Sequence, residues 1–319
     1  MLGGAAVAWP FLANAQQPMP VVSFLGAVSA EGFGDRTRAY REGLREAGYA
    51  EGVTVLIDYR WAENQLDRHP ALAAGRSGRK KVAIIMAHGG TAPAIAAKAA
   101  TTTIPVVFTT PEDPVAAGLV PSLSHPGGNL TGINLFIGEL MSKRLELLGA
   151  MLPQDGAYRG VRESSESGAR AEAQVKEAES AVAGMGVQVR VFQAGTIQQI
   201  NAAFATFATD PPDALFVSPD PYYRRAQLVT LAARHAIPAS FSVCDFVEAG
   251  GLMSYGTNIV DSYRQAGVYT GRVLKGAKPA DLPVVQSSKV ELAINIQRAR
   301  MLGLTVPNSL LAIADEVIE

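Results

Sequence analysis

From Pro20 onward, short apolar runs alternate with stretches whose apolar residues recur at helical spacing. The run VVSFLGA at 21–27 is almost entirely apolar and predicts a buried strand. The stretch that follows, 34–49, places Tyr40, Leu44 and Ala47 on one face of a helix. Because strands and helices keep alternating, we predict a parallel sheet that is covered by helices on both faces.

Two series of this kind follow one another along the chain. The first is expected to contain strands at 21–27, 53–61, 82–86 and 104–110, with helices at 34–49 and 91–100. The second is expected to contain strands at 187–192, 214–218, 239–243 and 251–256, with helices at 137–152, 169–184, 196–208, 221–235 and 259–275. The tail after 290 is expected to hold one strand and two short helices.

Two series predict an α/β chain with two doubly wound parallel-sheet lobes. We assign 20–130 plus 259–284 to lobe 1, and 131–258 plus 285–319 to lobe 2. In sheets of this kind a ligand binds at the carboxyl ends of the strands, where the strand order reverses. The turns that end the strands are therefore the first place to look for function.

The segment DGAYRGVRESSESGARAEAQ, at 155–174, breaks the pattern of the second series. A buried strand is expected there, and such a strand normally consists of a continuous apolar run. Only Ala157, Tyr158 and Val161 qualify, and they stand among charged residues. We therefore predict a weak or missing strand at 157–163 and a second lobe less stable than the first. A short edge strand at the sheet margin is the alternative.

The turn MAHGGTAPA, at 86–94, places two glycines and a threonine between a strand and a helix. Thr91 is expected to cap that helix, with Pro93 in its first turn. Gly89 and Gly90 would let a ligand approach the backbone closely. The free N–H groups at the helix start favour an anion such as a carboxylate.

Comparable turns end strands in both predicted lobes. Asp113 and Asp220 each precede a proline, and Tyr255 lies in the turn-like stretch GLMSYGTN. A small zwitterion with an apolar or aromatic side chain suits such turns, with its carboxylate at the hydroxyls, its ammonium at an aspartate and its side chain on an aromatic ring. The candidate ligand-binding residues are Ser29, Glu31, His88, Gly90, Thr91, Thr110, Asp113, Asp220, Tyr222 and Tyr255. Each turn alone also has a structural interpretation, since Asp-Pro after a strand commonly caps a helix.

Composition and charge exclude several classes of protein. The formal net charge of -1 provides no general attraction to nucleic acid or to an anionic membrane. One cysteine, Cys244, excludes an internal disulfide framework and a multi-cysteine metal site, and its side chain is expected to fill a buried space. The four histidines are not spaced as metal ligands. We predict no metal and no cofactor.

The N-terminal segment 1–15 contains a short apolar stretch that ends in Ala13-Asn14-Ala15, the pattern of a secretory cleavage site. It is too short to span a bilayer as a helix. We predict a signal-like segment, a mature chain that starts near Gln16 and a periplasmic location. A disordered apolar tail is the alternative.

Catalytic signatures are absent from the sequence. It contains no G-x-S-x-G elbow, no G-x-x-x-x-G-K-[ST] loop and no complete G-x-G-x-x-G motif. We therefore predict reversible binding without turnover. An α/β enzyme that uses the same cleft is kept as an alternative.

Several stretches together resemble one known family, the ABC-transporter substrate-binding proteins of the tryptophan- and aromatic-amino-acid-binding type. They include YREGLREAGYAEG, GGTAPAIAAKAATTTIPVVF, EDPVAAGLVPSLSHPGGNLTGI, FVEAGGLMSYGTN and LGLTVPNSLLAIADEVIE. The resemblance covers nearly the whole chain, and it departs from the family at 73–85 and 155–174. The segments that match the family's cleft lie around Ser29, Gly90–Thr91, Asp113, Asp220 and Tyr255.

The resemblance implies a type I periplasmic-binding-protein fold with a three-crossover hinge. The chain is expected to cross between lobes near 128–135, 256–260 and 280–290, and to close on its ligand. It implies a monomer that passes a small solute to a membrane permease and its ATPase. A periplasmic sensor subunit that feeds a kinase is the alternative partner relation. Amino acids, modified bases and small organic acids all remain open as ligands.

Overall fold

The structure is a computed structural model in which residues 19–31, 33–74, 81–135, 140–152, 159–164, 180, 188–193, 196–217 and 225–319 are described. The predicted signal-like segment 1–15 lies outside these residues. None of the helices within them is long and apolar enough to cross a membrane.

The first sheet is parallel throughout and belongs to the first predicted series. Its strands are β1 (Val21–Gly26), β2 (Leu56–Trp61), β3 (Val82–His88), β4 (Val106–Thr110), β5 (Leu130–Asn134) and β11 (Val285–Gln286). They are ordered β11-β5-β4-β3-β1-β2. The order reverses between β1 and β3, since the chain passes from β1 outward to β2 and then returns to β3 on the other side.

The second sheet has seven strands. They are β6 (Arg159–Ser164), β7 (Gln188–Gln193), β8 (Ala214–Phe216), β9 (Ala239–Phe241), β10 (Met253–Thr257), β12 (Val290–Asn295) and β13 (Glu316–Ile318). They are ordered β13-β12-β10-β9-β8-β6-β7. All pairs are parallel except β10 with β12, where the tail of the chain returns antiparallel.

Helices cover both faces of each sheet, as the alternating pattern predicts. With the first sheet lie α1 (Gly34–Glu46), α2 (His69–Ala74), α3 (Thr91–Ala100) and α8 (Ile259–Leu274). With the second lie α4 (Met141–Gly149), α5 (Ile197–Phe207), α6 (Arg225–Arg234), α7 (Asp245–Glu248), α9 (Ile296–Met301) and α10 (Asn308–Leu311). Each sheet therefore has two apolar cores, one on either face.

Helices α1 and α8 cross at very short range on one face of the first sheet. A Cβ added to Gly43 would lie 1.9 Å from the Arg264 carbonyl oxygen, and one added to Gly267 would lie 2.1 Å from the Tyr40 carbonyl oxygen. Only glycine allows two helix backbones to approach so closely. The crossing positions the two helices that carry Arg36 and Tyr263.

The chain crosses between the two sheets three times, after β5, after β10 and after β11, as expected for a hinge of this type. Backbone hydrogen bonds tie the crossings together: Ser287 N–H donates to Asn134 O at 2.8 Å, and Asn258 N–H donates to Lys289 O at 2.9 Å. The Thr257 hydroxyl donates to the Leu135 carbonyl. The predicted lobe boundaries, after 130 and after 284, fall shortly before the ends of β5 and β11, which both belong to the first sheet.

The prediction of a weak or missing strand at 157–163 is wrong. Residues Arg159–Ser164 form β6, which pairs with β7 on one side and with β8 on the other, so it is not an edge strand either. The backbone ladder forms on both sides because a parallel strand pairs through N–H and C=O groups that every residue here carries. An apolar run is therefore a useful signal for such a strand but not a requirement.

Pairing on both sides has a measurable consequence. We expect the backbone amides of β6 to exchange with solvent as slowly as those of β8 in native-state hydrogen exchange, because both strands lie inside the sheet. Amides of β7, which lies at the edge of the sheet order, serve as the comparison. Exchange of the β6 amides at the rate of an exposed loop would contradict the pairing.

Candidate ligand-binding site

The reversal of strand order between β1 and β3 marks a cleft at the carboxyl ends of these strands. Gly26 and His88 lie side by side at the strand ends, and the Ala27 N–H donates to the His88 carbonyl at 3.2 Å. The loop after β1 leads to Ser29, and the loop after β3 leads to Gly90. Both loops therefore leave the sheet at the same edge.

The turn after β3 prepares a helix start that no side chain caps. Gly89 and Gly90 have φ values of 79° and 136°, which few residues other than glycine adopt. Gly90, and not Thr91, is the N-cap of α3, and no side chain accepts a hydrogen bond from the first turn. The prediction that Thr91 caps α3 is therefore wrong. The N–H groups at this helix start are left to an anion or to solvent.

Thr91 does not cap α3 because its hydroxyl is turned toward the neighbouring strand. Its Oγ1 lies 2.6 Å from Oγ1 of Thr110, the last residue of β4, and both side chains are buried. Thr110 Oγ1 also accepts from the Glu112 N–H at 3.3 Å. The structure thus brings His88, Gly90, Thr91 and Thr110 together around the ends of β3 and β4.

Asp113 is engaged with its own loop. Its Oδ1 accepts from the Val115 N–H at 2.7 Å and from the Ala116 N–H at 3.3 Å, in a turn rather than a regular helix. The side chain is exposed. Asp113 therefore makes the hydrogen bonds of a cap, but the helix that was expected to begin at Pro114 is a turn. A role of Asp113 toward a ligand stays a prediction.

His88 lies at the centre of an aromatic cluster at the end of β3. Its ring centroid is 4.0 Å from that of Phe24, 5.0 Å from Phe33, 5.3 Å from Trp61 and 5.8 Å from Tyr263. The side chain is fully buried, and Nδ1 lies 3.4 Å from the Tyr263 hydroxyl. Among the described residues Nε2 has no hydrogen-bond partner.

Gly26 makes room for this ring. A Cβ at position 26 would lie 2.6 Å from His88 Cε1 and 2.8 Å from Trp61 Cε3, too close for either ring to remain in place. The last residue of β1 must therefore be glycine for the cluster to form. The sequence does not indicate this requirement, because its pattern predicts only that Gly26 belongs to an apolar strand.

Burial controls the ionisation of the two polar groups in the cluster. Desolvation, helped by the positive charge of Arg36, lowers the pKa of His88 from its ordinary value of 6.5 to about 3. Desolvation also raises the pKa of Tyr263 to about 12, although Arg36 acts in the opposite direction. His88 is therefore a neutral imidazole and Tyr263 a neutral phenol at physiological pH.

The lowered pKa of His88 predicts that stability is lost in mild acid. Between about pH 6.5 and pH 3 the unfolded chain binds a proton at His88 that the folded chain does not, so the free energy of unfolding falls as pH falls through this window. We expect a contribution of about 1–2 kcal/mol between pH 7 and pH 5, measured by urea unfolding.

His88→Gln should remove this contribution and flatten the pH dependence, even though it lowers stability at every pH. His125→Gln, at an exposed site, is the matched control and should leave the pH dependence unchanged. Equal slopes for wild type and His88→Gln would contradict the assignment.

The remaining predicted residues are more dispersed. Ser29 is half-buried and Glu31 is exposed, both in the loop after β1. Tyr255, in β10, packs against the apolar core of the second sheet that includes Leu147 and Met253. Asp220 and Tyr222 lie outside the described residues.

Three residues near this cleft escaped the sequence reasoning, namely Tyr263, Arg36 and Asp245. Tyr263 lies in α8, just after the second crossing, and faces His88. Arg36, at the start of α1, pairs with Asp245 of the second lobe, with Arg36 NH2 2.7 Å from Asp245 Oδ2. Tyr263 and Asp245 follow a strand by a few residues, and Arg36 lies in the first turn of a helix, but many other residues share these positions.

Cys244 lies beside Asp245 and is half-buried rather than buried. Its Sγ and carboxylate oxygens of Glu248 and Glu316 lie within 4.8 Å of one another. Burial, with Glu291 nearby, raises the pKa of the thiol, which disfavours the thiolate that a metal would require. We assign no metal to this group.

Comparison with known sequences agrees with this architecture. Residues 22–318 match the family described as ABC transporter substrate binding protein. A curated relative, the tyrosine-binding protein of Clostridioides difficile (strain R20291), is 28% identical over 264 residues, which cover 81% of this chain and 73% of the relative.

Solved structures show the same fold. An ABC domain from Streptococcus pneumonia in complex with L-Trp is 27% identical and aligns with a TM-score of 0.82, over 94% of this chain and 100% of its own. A ligand-free, open substrate-binding protein with adhesive properties from Clostridium difficile is 24% identical and aligns with a TM-score of 0.68, over 94% of this chain and 99% of its own.

The two parallel sheets, the three crossings and the L-Trp-bound neighbour establish a type I periplasmic-binding-protein fold. The family match spans nearly all of the chain. The chain therefore belongs to the family of ABC transporter substrate binding proteins.

Proposed function

We propose that the protein captures an aromatic amino acid between its two lobes and delivers it to a membrane permease that an ATPase drives. In this proposal the chain acts as a periplasmic monomer, exported through the segment at 1–15. It binds its solute reversibly and does not transform it.

The observation that carries the proposal is the uncapped start of α3 at the point where strand order reverses. Its N-cap, Gly90, provides no side-chain hydrogen bond to the first turn, and among the described residues the hydroxyls of Thr91 and Thr110 lie beside it. Such a place suits the α-carboxylate of an amino acid, because N–H groups and the helix dipole both favour an anion.

The aromatic character of the solute is supported by two further points. Phe33, Trp61 and Tyr263 surround His88 at the same strand ends, and aromatic rings prefer to pack edge-to-face with one another. The curated relative is a tyrosine-binding protein, and one structural neighbour holds L-Trp. Both relatives thus handle amino acids with large flat side chains.

Calorimetric titration tests this function. The protein is unfolded, dialysed and refolded to remove any carried ligand, and is then titrated with L-Trp, L-Tyr and L-Phe. Tryptamine, which lacks the carboxylate, and L-Leu, which lacks the ring, are the controls. We expect binding of at least one aromatic amino acid to be at least tenfold tighter than binding of either control, and the recovered solute to be chemically unchanged.

Two results would contradict the proposal. The first is the absence of heat with all three aromatic amino acids, together with thermal stabilisation by a different class of solute such as an organic acid or a base. The second is recovery of a changed solute in many-fold excess over protein, which would favour an enzyme.

Thr91→Val tests the carboxylate end of the site. The substitution keeps the shape of the side chain and removes the hydroxyl that lies 2.6 Å from Thr110 Oγ1. We expect about tenfold weaker binding of the aromatic amino acid, equivalent to about 1.4 kcal/mol, with a smaller change in stability. Thr102→Val, at an exposed position just beyond α3, is the control and should bind like the wild type. Unchanged affinity in Thr91→Val would place the carboxylate elsewhere.

A further inference from the structure

An ion pair joins an element of the first lobe to an element of the second lobe. Arg36 lies near the start of α1 in the first lobe, and Asp245 is the first residue of α7 in the second lobe, 209 positions later. The Arg36 NH2 donates to Asp245 Oδ2 at 2.7 Å, and the two side chains are only 14% and 17% exposed. This is a well-shielded contact between elements of different sheets.

Apolar packing accompanies the ion pair. The Arg36 guanidinium lies over the Phe33 ring, 5.0 Å from its centroid. Val243, two residues before Asp245, packs against the core of the first lobe as well as that of its own lobe. The segment that carries Asp245 is therefore docked on the start of α1 through both charge and apolar surface.

The position of Arg36 is not explained by the helix that carries it. A cation in the first turn of a helix faces the positive end of the helix dipole, which disfavours it. The compensating interaction comes from Asp245, on the other lobe. The pair can form only when the lobes are together, because each partner belongs to a different sheet.

Separation of the lobes would return both charges to water. Closure removes most of this water from the two side chains. If one partner is replaced by a neutral residue, the remaining charge is buried without its counter-charge in the closed form only, which raises the free energy of that form relative to the open one. The overall similarity is also higher to the L-Trp-bound neighbour than to the neighbour described as ligand-free and open. The contact between residues of the two sheets is thus the basis for assigning the paired arrangement to a closed form of the chain.

We propose that Arg36 and Asp245 form a latch that holds the cleft closed and thereby controls how long a solute remains bound. Both are positioning residues in this proposal, since they act on the distance between the lobes. The effect on the solute rests on the proposed function, but the effect on closure does not.

The latch is tested first without any solute. Spin labels are placed at Ala99→Cys and Gln198→Cys, exposed positions on α3 and α5, in a Cys244→Ala background. The distance distribution between them gives the ratio of closed to open molecules. We expect Arg36→Gln and Asp245→Asn each to lower this ratio at least tenfold.

Two further variants keep the test specific. The exchange Arg36→Asp with Asp245→Arg restores opposite charges, and we expect it to regain a ratio within about threefold of the wild type. Arg38→Gln removes an exposed arginine that pairs with Asp35 in the same helix, and should leave the ratio unchanged. Urea unfolding confirms that each variant is folded before it is measured.

Dissociation of L-Trp, followed by stopped flow, provides the second readout. We expect about tenfold faster dissociation in each single variant and recovery in the exchanged pair. Single variants with unaltered distances, or an exchanged pair as open as the single variants, would overturn the latch. Loss of L-Trp binding without any change in distances would overturn it too, and would make the pair a direct solute contact.

Failure of the proposed function is distinguishable from failure of the latch. If the wild type binds no aromatic amino acid, the spin-label distances of the solute-free wild type and variants still show whether Arg36 and Asp245 hold the lobes together. If the wild type binds L-Trp and the distances do not respond to the substitutions, the latch alone is wrong.

Discussion

Gly267→Ala is expected to destabilise the protein by about 3 kcal/mol, close to the upper end of what overpacking costs. The added Cβ would lie 2.1 Å from the Tyr40 carbonyl oxygen and 2.9 Å from the Leu44 N–H nitrogen. Both neighbours are backbone atoms of α1, so neither can rotate away as a side chain would. The two helices must separate, and their shared core, which includes Ala266 and Tyr40, loses contact.

Urea unfolding, followed by circular dichroism, measures this effect. Gly149→Ala is the matched control, because Gly149 is also helical and a Cβ there would meet no atom within 4 Å. The control should be stabilised by up to about 1 kcal/mol, since alanine is the better helix former. A Gly267→Ala protein as stable as the wild type would show that α1 and α8 do not pack this closely.

Arg144→Met is expected to destabilise the second lobe by about 2 kcal/mol. Arg144 lies in α4 and is 1% exposed. Its NH2 donates to the Val217 carbonyl at 2.8 Å and to the Ser240 carbonyl at 2.9 Å, and its guanidinium lies 3.9 Å from the Phe216 ring centroid. The substitution keeps an unbranched, flexible side chain but removes the NH2 group that donates to both carbonyls, together with the cation–π contact.

One effect opposes this loss, because methionine no longer has to bury a charge. The carbonyls remain in place after the substitution, however, and the cost of leaving them without this donor exceeds the gain. Since Val217 directly follows β8 and Ser240 lies within β9, at the carboxyl-end side of the second sheet, we also expect weaker solute binding.

Lys143→Met is the control for Arg144→Met. It replaces the neighbouring cation, whose pairing with Glu146 is exposed, and should change stability by less than about 0.5 kcal/mol. Equal stability of Arg144→Met and the wild type would show that the buried guanidinium contributes nothing net.

The latch and the helix crossing are connected through α1. Arg36 is near the start of this helix, and the crossing with α8 holds the helix against Tyr263, which faces His88. A change at the crossing is therefore expected to alter the position of the latch as well as stability. In the proposed latch, α1 would thus link the core of the first lobe to the closing of the cleft.

Sequence reasoning located most strands to within a few residues but misjudged what some side chains at their ends do. Helix α3 was predicted with the bounds that the structure has, yet its cap is Gly90 and the Thr91 hydroxyl points to Thr110. Capping preference is a local property, whereas the Thr91–Thr110 contact depends on the pairing of β3 with β4. The N-cap preference of threonine did not decide its role here, because a buried hydroxyl needs a hydrogen-bond partner and Thr110 of the neighbouring strand provides one.

The strand β6 shows the opposite kind of error. Its sequence lacks the apolar run that is typical of a buried parallel strand, so the pattern predicted a weak or missing strand. Pairing with β7 and β8 is a property of the whole second sheet, and each backbone group that it satisfies would otherwise need another partner. No window of sequence contains that information.

The sequence by itself determined the alternation of strands and helices and the presence of two lobes, because periodicity and turn residues are local signals. The ligand site at the strand ends of the first sheet stays a prediction. The tertiary structure alone decided which distant residues meet. The pair of Arg36 with Asp245, the contact of Tyr263 with His88 and the space that Gly26 leaves for His88 each join segments far apart in the chain. Such contacts depend on the order of strands in the sheets and on the crossing of helices, so no local sequence pattern predicts them.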